Sequence, residues 1–429
     1  MYSQSVRRVA IVGANRIPFA RSNTAYFELS NLTMLTDTLK GLVQKYNLQG
    51  EVLGEVVGGA IMKHSRDWNL VREAVLGSGL HPNTPAYDVQ QACAAGLEAT
   101  ILVANKIALG QIEAGIACGS DTTSDAPVSV STGMQRGLMQ LNAAKTGLER
   151  LKAFSRLLKP SNLAPEVPRN SEPRTGMSMG EHAQITADRY GISRAEMDDI
   201  ALASHANLQK AYDQGFFKDL VMPYYGLEWD NNLRAGGSPD KLGRLPGAFK
   251  PGGTISAANA SALTDGASAV LLASEDWARE RDLPILAYIT AAETAAVDFI
   301  DEREGLLMAP AYAIPRLLKR HKLGLADFDF YEIHEAFAGV VLCTLKAWES
   351  DDFCRNRLGL DGPLGSIDRA KLNVKGSSLA TGHPFAATGA RIVATLAKTI
   401  DEAGGGRGLI SICAAGGQGV TAVLEKPGA

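Results

Sequence analysis

No stretch of this 429-residue sequence is apolar for long enough to span a bilayer. The opening MYSQSVRRVAIVGANRIPFAR has two arginines before a short apolar run that is interrupted too soon for a secretion signal, so the expected location is cytosolic. Excess charge of one sign is missing as well. With 43 basic and 46 acidic residues the formal charge is −3, which removes the global electrostatic case for a nucleic-acid partner or an anionic membrane and leaves only local contacts of that kind. The five cysteines, Cys93, Cys118, Cys343, Cys354 and Cys413, are odd in number, widely spaced and without a C-x-x-C pair, so they read as free thiols rather than a disulfide framework or a zinc site. Seven histidines show no H-E-x-x-H spacing, and the expectation is that there is no metal. The chain also lacks a G-x-S-x-G elbow, a Walker A loop and a G-x-G-x-x-G fingerprint, the mechanical parts of serine hydrolases, P-loop proteins and Rossmann dinucleotide enzymes.

What is present is an ordinary globular composition, 45% hydrophobic and 21% charged, in a chain long enough for two or three domains or one domain with an insertion. Strand-like runs at 9–12, 55–60 and 112–118 alternate with helical patterns at 29–46 and 97–109, which predicts α/β architecture with parallel strands covered by helices. From Asp121 to Lys250 the character changes to scattered prolines, methionines, basic residues and glycine-rich turns. That stretch is expected to be an insertion with its own helices, because a loop of that length is improbable in a compact domain. Gly253–Ser274 resumes as a small-residue turn and a buried strand, expected to close the first sheet. From Leu283 the pattern starts again: LPILAYITAAET follows VRRVAIVGANRI, HKLGLADFDFYEIHEAF follows YNLQGEVLGEVVGGAIM, and GLISICAAGG follows EAGIACGSDT, with Cys413 at the position of Cys118. A duplicated half would set equivalent strand ends side by side, with a cleft at the junction.

Chemistry concentrates in Lys371–Gly419. His383 stands between Gly382 and Pro384 at the mouth of a helix, where Gly382 lets backbone approach a ligand, Pro384 suits a first helical turn, and the open helix end favours negative charge. Cys93, in YDVQQACAAGLEAT, sits where an extended run meets a helix. That setting lowers a thiol's pKa and makes a nucleophile, while the plainer alternative is a small thiol packing a turn. Cys413 ends the apolar run LISIC before Ala-Ala-Gly-Gly, where packing and reactivity are equally good readings, and His334 in IHEAFA opens another helix as a cap or as a functional group.

Taken in order, Arg16-Ile-Pro-Phe, the Cys93 segment, Gly253-Thr-Ile-Ser-Ala-Ala-Asn-Ala-Ser, His334-Glu-Ala-Phe, Gly382-His-Pro and Cys413-Ala-Ala-Gly-Gly resemble the motifs of the thiolase superfamily across essentially the whole chain. The resemblance implies a thiolase fold, an α/β/α/β/α core of two duplicated βαβαβαββ halves with a helical loop domain inserted in the first. Residues 1–121 and 251–275 would form the N-terminal half, 122–250 the loop domain that binds CoA, and 276–429 the C-terminal half.

It also implies roles. Cys93 would be the acylated nucleophile, His383 its base and an oxyanion donor, Cys413 the general acid/base at the α-carbon of acetyl-CoA, and His334, through a water, part of the enolate oxyanion hole. The amides of Cys93 and Ala415 would hold the tetrahedral oxyanion. Ser261 would contact pantetheine and Met179 would line the channel, although His182 and Gln184 depart from the family's Met-Gly-x-Thr-Ala-Glu pattern. Coenzyme A and acyl-CoA would be substrates, with no metal or prosthetic group.

The histidine of His334-Glu-Ala-Phe, where many thiolases have asparagine, is similar to the thiolase subunit of fatty-acid β-oxidation trifunctional complexes. This implies 3-ketoacyl-CoA thiolysis, a hydratase/dehydrogenase partner subunit, and a homodimer or tetramer. Leu138–Leu158 reads as one basic amphipathic helix with Leu148, Leu151, Phe154 and Leu158 on a face. It would suit peripheral membrane contact, a partner or CoA phosphates, or else cover the insertion's own core. Two other readings stand beside this one: a decarboxylating ketoacyl synthase, which pairs one cysteine with two histidines, and an inert acyl-CoA-binding scaffold.

Overall fold

Side chains that alternate with a period of two give each strand two faces, and in the strands Val9–Arg16, Ala114–Asp121 and Thr264–Ser274 both faces are buried. The computed structural model describes residues 6–301 and 303–428. Among them, nine strands lie on one path: β1 (Val9–Arg16), β2 (Glu55–Gly58), β3 (Ala86–Asp88), β4 (Ala114–Asp121), β5 (Thr264–Ser274), β6 (Ala287–Ala296), β7 (Phe330–Ile333), β8 (Gly406–Ala414) and β9 (Gln418–Lys426). Their order is β3-β2-β4-β5-β1-β6-β9-β8-β7, and a short strand, Ala20–Arg21, also pairs with β5.

The path contains the same arrangement twice. In the first half β1 and β4 flank β5 antiparallel, while β2 runs parallel to β4 and to β3. In the second, β6 and β8 flank β9 antiparallel and β7 runs parallel to β8. The place of β3 is taken by a single parallel bridge between Tyr331 and Leu372. The halves meet where Ala10 and Ile11 of β1 pair with Tyr288 and Ala287 of β6. The pattern that restarts at Leu283 is therefore a second copy of the topology. One expectation changes: the strand after Gly253 runs through the middle of the first half, between β1 and β4, and does not close an edge.

Helices fill three layers. α1 (Asn31–Lys45) and α2 (Leu70–Ser78) cover one outer face, and α3 (Ala95–Ala108) and α11 (Ala387–Glu402) lie between the half-sheets. α8 (Ala309–His321) and α9 (Ala338–Glu349) cover the other outer face. The strands show the partition residue by residue. Ile11 and Ala117 point into the middle layer while Val12 and Cys118 point outward. In the second half Ile410 and Ile412 point to the middle while Leu409 and Cys413 point outward. α3 and α11 touch through glycine: a Cβ on Gly389 would lie 2.1 Å from the amide nitrogen of Leu97, and one on Gly96 would lie 2.6 Å from the carbonyl oxygen of Ala386. No larger residue permits that approach.

Residues 122–263, between β4 and β5, carry α4 (Thr132–Ala143), α5 (Gly147–Leu157), α6 (Met179–Tyr190) and α7 (Arg194–Asp213). The single helix expected over 138–158 is two. The chain leaves helical geometry at Ala144, and Thr146 with Glu149 forms a capping box that starts a new helix. The four apolar residues of the row remain exposed rather than covering a core. Of the other short elements only α10 (Ser378–Thr381) matters for the site.

Candidate active site

Cys93 sits in a 3-10 turn, Ala92–Ala94, immediately before α3. Ala92 has φ +49°, a left-handed conformation that costs a β-carbon residue about 1–2 kcal/mol, and this backbone turn presents the next side chain. His383 lies between α10 and α11. Gly382 has φ +98°, and the His383 amide donates to Thr264 Oγ1 at 2.7 Å. Pro384 is not at the first turn of a long helix as expected, since α11 begins at Ala387. Asp121, at the end of β4, anchors this loop by accepting the amide of Ala386 at 2.9 Å together with the amides of Ile61 and Met62. Burial raises its carboxyl to about 6.

These two segments, from different halves of the chain, put Cys93 Sγ 3.0 Å from His383 Nε2. The other ring nitrogen, Nδ1, is 2.6 Å from Thr388 Oγ1. The backbone N–H groups of Cys93 and of Ala415 lie near enough to the sulfur to favour its thiolate form. The His334 ring packs on that of His383 with centroids 4.2 Å apart, and its Nδ1 is 2.8 Å from Ser378 Oγ. Cys413, one residue before the end of β8, is 4% exposed and near enough to Cys93 to help raise its thiol. A void of about 10 Å³, the room of one water, borders both His334 and Cys413. Cys93, His334, His383, Cys413 and Ala415 thus form one cluster.

Burial dominates its electrostatics. It pushes the Cys93 thiol well above the ordinary range, against the pull of the two amides, so the lowered pKa expected from the helix start does not hold: the resting group is a thiol that needs a base. Burial, aided by the positive charge of Arg391, depresses His383 to about 3, and burial with His383 and Arg391 holds His334 well below the ordinary histidine range. Burial likewise raises Cys413 to about 12. Two neutral imidazoles and two neutral thiols meet at a site where only Cys93 is partly exposed, a proton can pass from sulfur to nitrogen, and the resulting anion is met by fixed amides. The ligand atoms of Cys93, His334 and His383 lie within 4.8 Å of one another, a spacing that also suits a soft cation.

A cleft of about 1030 Å³ has Leu379, next to Ser378, in its wall, while the five residues of the cluster lie outside its lining. Basic groups line it: Arg21, Lys210 and Arg234. Ser261 lies between two wall residues, Ala260 and Ala262, and its amide donates to Ala336 O at 2.9 Å. Met179 opens α6 and packs against the core of the second half, apart from that wall. Sequence reasoning missed Thr388, Ser378, Arg391, Asp121 and Glu172. Thr388 had a signal, one helical turn beyond a Gly-His-Pro, while Glu172 had none.

Comparison with known proteins matches residues 9–276 to the family model of the thiolase N-terminal domain and residues 283–426 to that of the thiolase C-terminal domain. The chain is 40% identical over 425 residues to a 3-ketoacyl-CoA thiolase of Pectobacterium atrosepticum, covering 97% of this chain and 96% of that one. It is 38% identical to one of Yersinia enterocolitica, covering 97% of each. Among solved structures it superposes on the Bacillus anthracis acetyl-CoA acetyltransferase with TM-score 0.81 and 29% identity, and on human mitochondrial 3-ketoacyl-CoA thiolase with TM-score 0.81 and 26% identity. Each covers 99% of this chain and 100% of the other.

Proposed function

The chain belongs to the thiolase family, and from that premise we propose that it is an acyltransferase of the 3-ketoacyl-CoA thiolase type, cleaving a 3-ketoacyl-CoA with CoA to acetyl-CoA and a shortened acyl-CoA. The observation that carries the reading is the 3.0 Å contact of Cys93 Sγ with His383 Nε2, made where two amides already lie near the sulfur and a second thiol, Cys413, stands beside it.

His383 Nε2 takes the Cys93 proton, and the thiolate attacks the 3-keto carbon. The amides of Cys93 and Ala415 hold the tetrahedral oxyanion. Its collapse breaks the bond between the α- and β-carbons, leaving an acyl group on Cys93 and an acetyl-CoA enolate whose thioester oxygen is met by His383 and, across one water, by His334. Cys413, kept protonated by burial, supplies the proton to the α-carbon. CoA then gives its thiol proton to the Cys413 thiolate and attacks the acyl-enzyme, which releases the shortened acyl-CoA while the departing Cys93 sulfur takes its proton back from His383. Condensation is the same path reversed. The Arg21, Lys210 and Arg234 side of the cleft suits the phosphates of CoA, with pantetheine passing Ser261.

The decarboxylating ketoacyl synthase reading is favoured by the Cys93, His334 and His383 cluster but leaves Cys413 without a task. Thiolysis of acetoacetyl-CoA and longer 3-ketoacyl-CoAs by wild type and Cys93→Ala decides. Loss by about 10⁴–10⁶-fold is expected. Turnover unaffected by the substitution sinks the mechanism, and no turnover by the wild type at any chain length favours the scaffold.

Several finer features complete the reading: a division into residues 1–121 with 251–275, an inserted 122–250 and 276–429; a role in fatty-acid β-oxidation in the cytoplasm; a homodimer or tetramer; and a hydratase/dehydrogenase partner. Among the described residues no helix is long and apolar enough to cross a membrane. The exposed row Leu148, Leu151, Phe154 and Leu158 of α5 and its cap supports peripheral membrane or partner contact.

A further inference from the structure

Both histidines of the site place Nδ1 against a hydroxyl: His383 against Thr388 Oγ1 at 2.6 Å and His334 against Ser378 Oγ at 2.8 Å. The two hydroxyls differ in what else they touch. Among the described residues no cation hydrogen-bonds Thr388 Oγ1, and for His383 Nε2 to accept the Cys93 proton its Nδ1–H must donate to Thr388. Ser378 Oγ receives an N–H from the guanidinium of Arg391, Nη2, at 2.7 Å, and the other arm, Nη1, donates to Ser377 Oγ at 3.2 Å. A guanidinium only donates, so Ser378 must accept from it. Among the described residues the hydroxyl proton then has one acceptor, His334 Nδ1. The opposite arrangement, with Nδ1–H donating, would leave a buried hydroxyl proton without a partner, at a cost of about 1–3 kcal/mol.

We propose that Ser378, polarised by the buried Arg391, holds His334 as the Nε2–H tautomer, so that the two histidines of the site are fixed in opposite tautomers, His383 presenting an acceptor to Cys93 and His334 a donor to the water that meets the enolate oxygen. Ser378 and Arg391 are positioning residues, acting through His334. His334 is 1% exposed and its Nε2 has no partner among the described residues, as expected of a donor kept for the water that meets the enolate oxygen. The charged groups acting on Arg391 are Glu332, with 4.0 Å from its Oε2 to Nη1, and Glu335, Arg16 and Asp230 through their charges, and its guanidinium donates to the two serines. None of them competes for Ser378. The positive charge of Arg391 further disfavours imidazolium at both histidines, which keeps the tautomer choice relevant at neutral pH.

This inference rests on the thiolase reading, and its test separates the two. Ring nitrogen shifts of 15N-histidine-labelled enzyme, assigned with His334→Asn, should show His334 protonated on Nε2 and His383 on Nδ1. In Ser378→Ala the His334 signal should become a tautomer mixture. Exchange of the α-protons of acetyl-CoA should fall by about 10–100-fold, while acetylation of Cys93 by acetyl-CoA, which forms no enolate, and the KM for CoA stay within about twofold. Ser378→Thr, which keeps the hydroxyl, should restore exchange. A wild-type His334 protonated on Nδ1 overturns the proposal whether or not a variant folds, as does Ser378→Ala with undiminished exchange. Failure of the wild type to acylate Cys93 would instead sink the thiolase reading.

Discussion

Glu172, on the segment between β4 and β5, accepts the amide N–H of Gly416 at 2.7 Å, and Gly416 follows the residue whose own amide lies near the Cys93 sulfur. The carboxylate is 6% exposed. It therefore ties the segment 122–263 to the turn that carries Ala415, and in the proposed mechanism a shift of that turn moves the Ala415 donor away from the position the oxyanion takes.

Removing that tie should slow acylation. A hydrogen bond to a charged group contributes about 1.5–3 kcal/mol, so Glu172→Ala is expected to reduce the single-turnover acylation rate of Cys93 by about 10–100-fold, with Glu172→Gln, which keeps an acceptor oxygen, recovering most of it. Acylation rates from rapid-quench experiments check this, and equal rates in all three proteins would show that the turn stands without the carboxylate.

The close approach of α3 and α11 carries a second consequence. Cys93 stands at the start of α3 and His383 just before α11, so the distance between the helices sets the distance between nucleophile and base. A β-carbon on Gly389 meets backbone, not a flexible side chain, at 2.1 Å. Gly389→Ala is expected to lower stability by about 1–3 kcal/mol, the usual cost of overpacking, and to reduce kcat more than it changes KM. Urea unfolding beside steady-state kinetics tests it. A variant as stable and as active as wild type would show that the helices separate freely.

Much of this was legible in the sequence. The duplicated half could be read because each βα unit repeats its apolar rhythm, and Cys93, His383 and Cys413 could be read because each interrupts that rhythm at a strand or helix end. What escaped was whatever depends on contacts between distant segments. Burial of the Cys93 thiol by the opposite half reversed the pKa shift expected from the helix start alone. Arg391 on α11 reads as one more helical cation, and only the fold shows it buried at 1% exposure against Ser377 and Ser378. The split between α4 and α5 was within reach, since Thr146 and Glu149 have capping-box spacing, but the apolar row running through it masked the break.

Glu332, on β7, makes stability depend on pH. It is 2% exposed, its Oε2 has no hydrogen-bond partner among the described residues, and burial raises its carboxyl from 4.5 to about 8 despite Arg391. A carboxyl that holds its proton more tightly folded than unfolded contributes stability that is fully present below 4.5 and is lost as pH rises toward 8. His383 works in the other direction: depressed from 6.5 to about 3, it contributes stability present above 6.5 and lost as pH falls toward 3. Glu332→Gln, neutral and of the same shape, should remove the first dependence and leave the second, so its urea midpoint should fall less than that of wild type between pH 5 and about 8.5. Parallel curves for the two proteins would show that Glu332 carries no such proton.

The row on α5 and its cap allows a separation of surface from chemistry. Leu148, Leu151, Phe154 and Leu158 are 64%, 66%, 50% and 61% exposed, and Lys145, Arg150, Lys152 and Arg156 belong to the same segment. An apolar stripe edged with cations lies well in the interface of an anionic bilayer, where each buried leucine or phenylalanine contributes about 1.5–3 kcal/mol. Wild-type protein is therefore expected to sediment with vesicles containing phosphatidylglycerol, less so at high salt. Leu151→Asp with Phe154→Asp should weaken that binding by at least about 100-fold and leave thiolysis of acetoacetyl-CoA unchanged. If wild type stays in the supernatant while remaining active, the stripe serves a protein partner instead, because four apolar side chains so exposed on one short segment have no other covering in the monomer.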